Sequence, residues 1–242
     1  MKIYLISLFP NELGNFFLKG IFNKAFEKKI FDISFINLRE FAVDKYKKVD
    51  DYPFCNHQGM VLKADLIYSA ITSIPNYEKY RIIYPCPKGI IFDQGFADNY
   101  SKEDGLIFIC GYYEGIDERI FQLFKIEKIS LGNFVLSSGE LPSLTIIETI
   151  LRLLPGVVGK QKGLLDDSII NGLLEYPQYT KPRILFDLEV PAVLLGGNHA
   201  EQKKWQKKES LRTTLFSKPN LLKSYNFTDV DKELMTQILK EE

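Results

Sequence analysis

"CGYYEGIDER", residues 110–119, follows the apolar run "GLIFI" of residues 105–109. A short apolar run that ends in glycine and polar residues is typical of a buried strand in a parallel sheet. Further along, "SLGNFVLSSGELPSLT" (residues 130–145) is a second apolar run that ends in glycines, serines and a proline. Small residues at both strand ends would let a ligand approach the backbone N–H and C=O groups directly.

Strands and helices alternate over the first two thirds of the chain. The predicted strands are residues 2–8, 31–38, 80–85, 105–111 and 125–132, and the predicted helices are 11–28, 64–74, 92–101, 117–124 and 141–156. This alternation predicts an α/β fold with a mostly parallel sheet, in which ligands bind outside the carboxyl ends of the strands. A single glycine after a strand usually marks only a turn. Three unusual strand ends in one domain favour a pocket, and they are "YPCPKG" (84–89), "CGYYEG" (110–115) and "LGNFVLSSGELP" (131–142).

Composition divides the chain into three parts. We predict an α/β domain over residues 1–158, a mobile linker over 159–172 and a helical domain without a strong strand over 173–242. Equal numbers of basic and acidic residues, 31 of each, argue against a protein that coats nucleic acid indiscriminately but allow a local basic face. No apolar run reaches the ~18 residues of a membrane helix. Three cysteines without metal-ligand spacing fit reduced thiols in a cytosolic protein.

A basic helix is predicted after Asn198. Asn198 and Glu201 have the spacing of a capping box, and the helix that follows carries Lys203, Lys204, Trp205, Lys207, Lys208 and Arg212. One interpretation is a solvated face whose lysines pair with Glu201 and Glu209. The other is a stripe that faces phosphates and has an aromatic anchor.

Two further charged features have a structural and a functional interpretation. Adjacent carboxylates at Asp166 and Asp167 usually have no role in a flexible segment, but a loop that closed over the strand ends would make one of them a general base. Arg152 follows Glu148 by one helical turn, so it could form an intrahelical ion pair or reach an anion or a polarised carbonyl.

Nine motifs, in order, carry a family resemblance. They are "ISLFP" (6–10), "VDDYPF" (49–54), "CGYYEGIDER" (110–119), "LGNFVLSSGELP" (131–142), "LLPGVVG" (153–159), "DDS" (166–168), "EYPQYTKP" (175–182), "EVPAVLLGGNHAEQKKW" (189–205) and "SLRTT" (210–214). Together they resemble the bacterial tRNA (guanine-N1)-methyltransferases of the TrmD type, which belong to the SPOUT superfamily.

The resemblance implies a fold and an activity that the strand pattern alone does not show. It implies that the α/β domain ends in a trefoil knot of the SPOUT type and is followed by a small helical domain. S-adenosylmethionine would lie bent in the knot, held mostly by backbone groups, and magnesium would support activity. The family is a cytoplasmic homodimer with an active site shared between subunits, and its target is the tRNA guanine directly 3′ of the anticodon.

The resemblance also assigns residues. The implied cofactor pocket comprises Tyr84, Pro85, Cys86, Pro87, Gly111, Tyr113, Leu131, Gly132, Phe134, Leu136, Ser138, Gly139 and Pro142. Asp167 matches the general base that takes the guanine N1 proton, and Arg152 matches the residue that stabilises charge on O6. Glu114 would hold the guanine or magnesium. The implied tRNA contacts are His199, Lys203, Lys204, Lys207 and Lys208.

Several positions depart from the family pattern. Cys55–Gln58 replace small residues of a glycine-rich loop, Tyr112 replaces an arginine, Asn133 an aspartate, and Ser138 a glycine. Because Asp167, Arg152 and Glu114 are retained, we predict an active but altered enzyme. The alternatives are a diverged dimer that binds tRNA or another RNA without catalysis, and a nucleotide-binding α/β enzyme that does not use RNA.

Overall fold

The computed structural model describes residues 1–18, 20–54, 59–158 and 168–241, and the chain divides into two compact units, Met1–Gly159 and Lys160–Glu242. The strands are β1 Lys2–Ser7, β2 Asp32–Asn37, β3 Asp50–Asp51, β4 Val61–Leu62, β5 Arg81–Ile91, β6 Gly105–Ile109, β7 Ile126–Ser130, β8 Ile184–Leu185 and β9 Leu188–Glu189. The α-helices are α1 Pro10–Leu13, α2 Gly20–Glu27, α3 Ala64–Thr72, α4 Gln94–Ser101, α5 Ile120–Leu123, α6 Glu140–Leu153, α7 Ala192–Leu195, α8 His199–Ser217 and α9 Asp229–Glu241. Short 3₁₀ helices cover Gly14–Leu18, Leu38–Phe41, Tyr77–Lys79 and Pro219–Lys223.

A five-stranded parallel sheet forms the centre of the first unit. Its strand order is β2-β1-β6-β5-β7, and every neighbouring pair is parallel. The predicted α/β class with a mostly parallel sheet is therefore confirmed. All five carboxyl ends lie at one edge of the sheet, so the segments that follow β1, β5, β6 and β7 meet there.

Each face of the sheet buries its own apolar cluster because successive side chains of a strand point to opposite faces. On one face, Leu5 and Phe108 pack with helices α2, α4 and α6. On the other face, Ile6 and Ile107 pack with α3 and α5. All residues of β6 are buried, as expected for a strand that lies between β1 and β5 and is covered on both faces.

The end of β5 differs from the sequence prediction, which stopped the strand at Pro85. The strand continues to Ile91, and its pairing with β7 shifts register between Pro85 and Ile90. Pro85 and Pro87 cannot donate hydrogen bonds to the ladder, so pairing lapses there and resumes beyond them. Gly89 permits the resumption, since a Cβ at this position would lie 2.3 Å from the Ile129 nitrogen.

Two other elements also differ from the prediction. The single helix expected over residues 11–28 is divided into α1, a 3₁₀ turn and α2, and Gly20 has a positive φ of 61°. In the second unit, β8 and β9 form a short antiparallel hairpin where no strong strand was expected. No helix in the described part of the chain is long and apolar enough to cross a membrane.

The second unit is mainly helical and has its own small core. Leu173, Leu211, Leu234 and Ile238 are buried together between α8, α9 and the segment that precedes them. Asn198 accepts hydrogen bonds from the backbone nitrogens of Ala200 and Glu201, which confirms the predicted cap of α8.

A buried carboxylate ties α9 to its surroundings. Asp231 is 1% exposed and accepts hydrogen bonds from the Thr228 backbone N–H at 3.0 Å and the Tyr225 hydroxyl at 3.1 Å. Burial opposes ionisation of Asp231, but these hydrogen bonds and the Lys207 ammonium together lower its pKa below the ordinary value. The charged carboxylate therefore stabilises the folded second unit.

We predict that Asp231→Asn removes a pH-dependent part of this stability. Because the pKa is lower in the folded state, the contribution is present above the unfolded pKa of about 3.9 and is lost as pH falls through the folded value. The variant should lose about 1–3 kcal/mol at neutral pH, and the difference from wild type should shrink below about pH 4. Urea titrations followed by fluorescence of Trp205, the single tryptophan, report on this unit. A difference that stays constant with pH would contradict the prediction.

Candidate active site

A cavity of about 280 Å³ opens at the interrupted stretch of β5, residues 84–88, and at the carboxyl ends of β6 and β7. Its wall contains the predicted cofactor residues Tyr84, Pro85, Cys86, Pro87, Gly111, Tyr113, Leu131, Phe134, Leu136, Ser138, Gly139 and Pro142. Gly132 is the exception: it does not line the cavity. The three strand ends with unusual sequences therefore meet around a single space.

The interrupted stretch of β5 forms one wall. Tyr84 is buried, and its ring lies against Gly111, where a Cβ would come within 2.8 Å of the ring and its hydroxyl. Burial raises the pKa of the Tyr84 phenol to about 12, so it is protonated at neutral pH. Burial also raises the pKa of the half-buried Cys86 thiol, which leaves it a neutral wall group.

The segment after β7 folds back onto the end of β6. The Gly139 N–H donates to the Gly111 carbonyl at 2.8 Å, and a Cβ at Gly139 would lie 2.6 Å from the Gly111 nitrogen and 2.8 Å from Cys110 Cα. Only a residue without a side chain permits this backbone contact. At the start of the segment, the Ser130 hydroxyl donates to the Gly132 carbonyl and accepts from its N–H. Gly132 has a φ of 155°, and a Cβ there would lie 2.7 Å from the Phe134 ring, so its role is to shape the segment.

Glu114 lines the cavity from a strained turn. The preceding residue, Tyr113, has a φ of 57°, which is unfavourable for a residue with a Cβ. The Glu114 N–H donates to Met60 at 3.0 Å, and the Glu114 side chain covers Gly59, where a Cβ would approach its Cγ to 2.5 Å. Gly59 has a φ of 99°. The turn therefore presents a carboxylate at the cavity and depends on a glycine from the β3–β4 region.

Tyr112 also lines the cavity, at the position where the resemblance expects an arginine. Its ring packs edge-on against Phe9 at 5.3 Å and against Tyr113 at 4.6 Å. The substitution thus replaces a cation with a member of an aromatic group at the ends of β1 and β6.

The three predicted catalytic residues are described to different extents. Glu114 lines the cavity, and Arg152 lies exposed in the last turn of α6. Asp167 and its neighbour Asp166 lie outside the described residues, as do Cys55–Gln58.

Comparison with known proteins identifies the family of this chain. The profile of the family described as tRNA (Guanine-1)-methyltransferase TrmD matches residues 1–224. A relative from Clostridium botulinum (strain Kyoto / Type A2), named tRNA (guanine-N(1)-)-methyltransferase, is 44% identical over 240 residues, 99% of each chain. Relatives of the same name from Staphylococcus epidermidis (strain ATCC 12228) and Clostridium tetani are each 42% identical over 235 residues, covering 97% of this chain and 96% and 98% of theirs.

The chain belongs to the TrmD family. The resemblance found in its motifs is therefore confirmed over nearly the whole length.

Some lining residues of this TrmD family member were not predicted from the sequence. They are Lys88, Tyr112, Ile129, Ser130, Val135 and Ser137. Lys88 could have been found, since it follows Pro87 in a strand end that was already singled out. Ile129 and Ser130 could not, because nothing in a regular strand pattern tells which of its last residues will face a cavity.

The basic helix α8 has two kinds of lysine. Lys207 donates to the Tyr225 hydroxyl at 2.5 Å, and Lys208 pairs with Glu241 at 2.5 Å. Arg212 pairs with Glu209 and Glu241. The predicted pairing of these lysines with Glu201 and Glu209 is thus wrong: the acids nearest to Lys207 and Lys208 are Asp231 and Glu241, and both lie on α9.

Lys203 and Lys204 are exposed, and no ion pair engages them within the described ranges of the second unit. They lie beside Trp205, whose ring contacts Tyr176 and Tyr179 at centroid distances of 6.4 and 6.3 Å. The exposed His199 lies at the start of the same helix, 3.2 Å from the Gln202 side-chain oxygen. The first two turns of α8 therefore present cationic and aromatic groups that are not needed to hold the unit together.

Proposed function

We propose that this chain transfers a methyl group from S-adenosylmethionine to N1 of the tRNA guanine directly 3′ of the anticodon. Membership of the TrmD family supports transfer to guanine N1 of tRNA. The observation that carries the cofactor assignment is the cavity at the interrupted stretch of β5 and the ends of β6 and β7, whose wall contains all but one of the residues expected to bind it.

The residues present fit such a cofactor. The Gly111–Gly139 contact makes part of the wall from backbone, which can hydrogen-bond a nucleoside without long side chains. Phe134, Leu136 and Pro142 add apolar surface for the flat purine ring and for the carbon atoms of the ribose. When bound, S-adenosylmethionine supplies a methyl group activated by a positively charged sulfur.

The proposed chemistry uses three side chains. Asp167 accepts the proton from N1, which leaves an electron pair on the nitrogen for attack on the methyl carbon. Arg152 stabilises the negative charge that develops on O6 during proton removal. Glu114 holds the polar edge of the guanine at the cavity mouth.

A homodimer with a trefoil knot is part of this proposal. Apolar side chains of the cavity wall support a protein partner, since Phe134 is 53% and Val135 83% exposed in the single chain. The return of the 131–139 segment to the end of β6 supports the knot, because it brings a later part of the chain against an earlier strand end.

Magnesium is the remaining expectation from the resemblance. Across residues 1–18, 20–54, 59–158 and 168–241, no group of three or more His, Cys, Asp or Glu side chains gathers as a metal site. Methyl transfer measured with magnesium, and again after its removal with EDTA, tests the dependence.

The decisive assay is transfer of a labelled methyl group to a tRNA transcript with guanine directly 3′ of the anticodon. We expect one methyl per tRNA, found as N1-methylguanine after digestion, and none on a transcript with adenine at that position. Cofactor binding by calorimetry accompanies the assay.

Two other outcomes correspond to the alternative functions. A dimer that retains tRNA but neither binds the cofactor nor methylates would be the non-catalytic RNA-binding protein. Cofactor binding without tRNA retention even at low salt would indicate a nucleotide-binding enzyme of another kind.

The two kinds of lysine on α8 make a matched test of tRNA binding. Lys203→Ala/Lys204→Ala should weaken tRNA binding and lower the slope of log Kd against log salt by about 1–2, since each phosphate contact releases about one counterion. Its thermal unfolding should match wild type. Lys207→Ala/Lys208→Ala removes the same charge but breaks contacts to Tyr225 and Glu241, so it should also lower the unfolding temperature. An unchanged salt slope in the first variant would contradict the assignment.

A further inference from the structure

A buried carboxylate belongs to the residue that directly follows Gly139 of the cavity wall. Glu140 is the first residue of α6 and is 7% exposed. It follows Gly139 and precedes Pro142 by two residues, and both of these line the cavity. Glu140 itself does not line it, so it has no role in the proposed chemistry above.

Only one of the two Glu140 carboxylate oxygens has a hydrogen-bond partner. Ser7 donates its hydroxyl to Glu140 Oε1 at 2.6 Å, and the same hydroxyl accepts from the Phe9 N–H at 2.9 Å. The other oxygen, Oε2, is buried without a hydrogen-bond partner, and no cationic side chain of the described residues pairs with Glu140.

Among the residues that the structure describes, the groups next to Glu140 supply no opposite charge. The Cys110 thiol is buried beside Glu140, and burial together with the Glu140 charge raises its pKa well above the ordinary value, so it is neutral. Ser143, which contacts Cys110 Sγ at 3.5 Å, donates its hydroxyl to the Gly139 carbonyl. A buried charge without a counter-charge is costly unless a ligand supplies one.

We propose that Glu140 makes the cofactor site selective for a cationic ligand, so that S-adenosylmethionine binds more tightly than S-adenosylhomocysteine. This inference rests on the proposed function, which places a sulfonium donor in the cavity. The donor carries a positive sulfur, and the thioether product has none. A negative charge in a medium of low dielectric constant acts over several ångströms, so it need not touch the ligand. Glu140 is thus a specificity-determining residue that acts through charge, and it favours exchange of spent product for new donor.

The test is the ratio of two dissociation constants, measured by calorimetry on the full chain without tRNA. In Glu140→Gln, which keeps the shape and loses the charge, the preference for S-adenosylmethionine over S-adenosylhomocysteine should fall by about tenfold. Ser7→Ala is the matched control, because it removes the hydrogen bond to the carboxylate and keeps the charge. It should change both affinities by the same factor and leave the ratio unaltered.

Equal loss of affinity for both ligands in Glu140→Gln would overturn the inference and make Glu140 a packing residue. A comparison on the unmodified protein avoids dependence on the folding of any variant. S-adenosylmethionine and the amine-bearing analogue sinefungin should both bind more tightly than S-adenosylhomocysteine, and equal affinity for all three would also overturn it. If none of the three binds, the proposed function itself fails.

Discussion

Replacement of Gly139 by alanine is expected to abolish measurable binding of S-adenosylmethionine. The added methyl group would lie 2.6 Å from the Gly111 nitrogen and 2.8 Å from Cys110 Cα, which are backbone atoms at the end of a fully buried strand. Neither can rotate away, so the 131–139 segment must move out and lose its 2.8 Å hydrogen bond to the Gly111 carbonyl.

Both binding and stability should change. Displacement of the segment moves Ser138, Leu136 and Phe134 together, so we expect cofactor affinity to fall at least 100-fold, which corresponds to about 2.7 kcal/mol. Overpacking against backbone should cost about 1–3 kcal/mol or more of unfolding free energy. Calorimetry and urea unfolding measure the two effects separately.

Ser138→Ala is the matched control for this prediction. Position 138 lines the same cavity and already carries a Cβ, so the change removes a hydroxyl without a new backbone contact. It should change affinity by less than about tenfold, as for one net hydrogen bond. If folded Gly139→Ala protein bound the cofactor within a few-fold of wild type, the prediction would be contradicted. The cavity wall would then tolerate displacement of the 131–139 segment.

The contrast between Gly139 and Gly132 separates what the sequence predicts from what only the structure shows. Apolar runs and the glycines after them predicted the sheet and the three strand ends that surround the cavity. The sequence could not distinguish a glycine that is needed for space, such as Gly139, from one that shapes the chain, such as Gly132. That difference depends on which backbone lies opposite, and only the three-dimensional arrangement supplies it.

Two errors have related causes. The predicted strand ends at Pro85, but β5 lies between β6 and β7 and resumes its pairing with β7 beyond the prolines. The sequence predicts that Lys207 and Lys208 pair with acids of their own helix, whereas the structure pairs them with groups of the segment 225–241. Both errors arise where tertiary contacts override a local rule.

The catalytic assignment was possible only through the family resemblance. Asp166 and Asp167 are equivalent on composition, and a carboxylate pair in a polar segment has no distinguishing pattern. The motif "DDS" singles out Asp167, and this assignment can be tested without further structural information.

Asp167→Asn is expected to lower the rate of methyl transfer by about 10²–10⁴, the usual contribution of a positioned general base. An amide cannot take the N1 proton, so attack on the methyl group would require a neutral guanine nitrogen. Cofactor affinity should stay within a few-fold of wild type, because Asp167 is not among the residues expected to form the cofactor pocket. Single-turnover rates with saturating tRNA, together with calorimetry, separate chemistry from binding.

Asp166→Asn provides the matched control, since it makes the same chemical change one residue away. It should retain most of the wild-type rate. Loss of activity in Asp166→Asn together with a normal rate in Asp167→Asn would identify Asp166 as the general base. Wild-type rates in both variants would leave Glu114, which lines the cavity, as the carboxylate that accepts the N1 proton.

Mixing chains decides whether the base and the arginine come from different subunits. Arg152→Ala should itself be slowed by about 10²–10³, as when a single donor to a developing oxyanion is removed. If each site takes Asp167 from one chain and Arg152 from the other, a mixed dimer of Asp167→Asn and Arg152→Ala chains contains one intact site. Random assortment should then restore about a quarter of wild-type activity, since half of the dimers are mixed and one of two sites works in each. A mixture no more active than its components would place both residues of a site in the same chain.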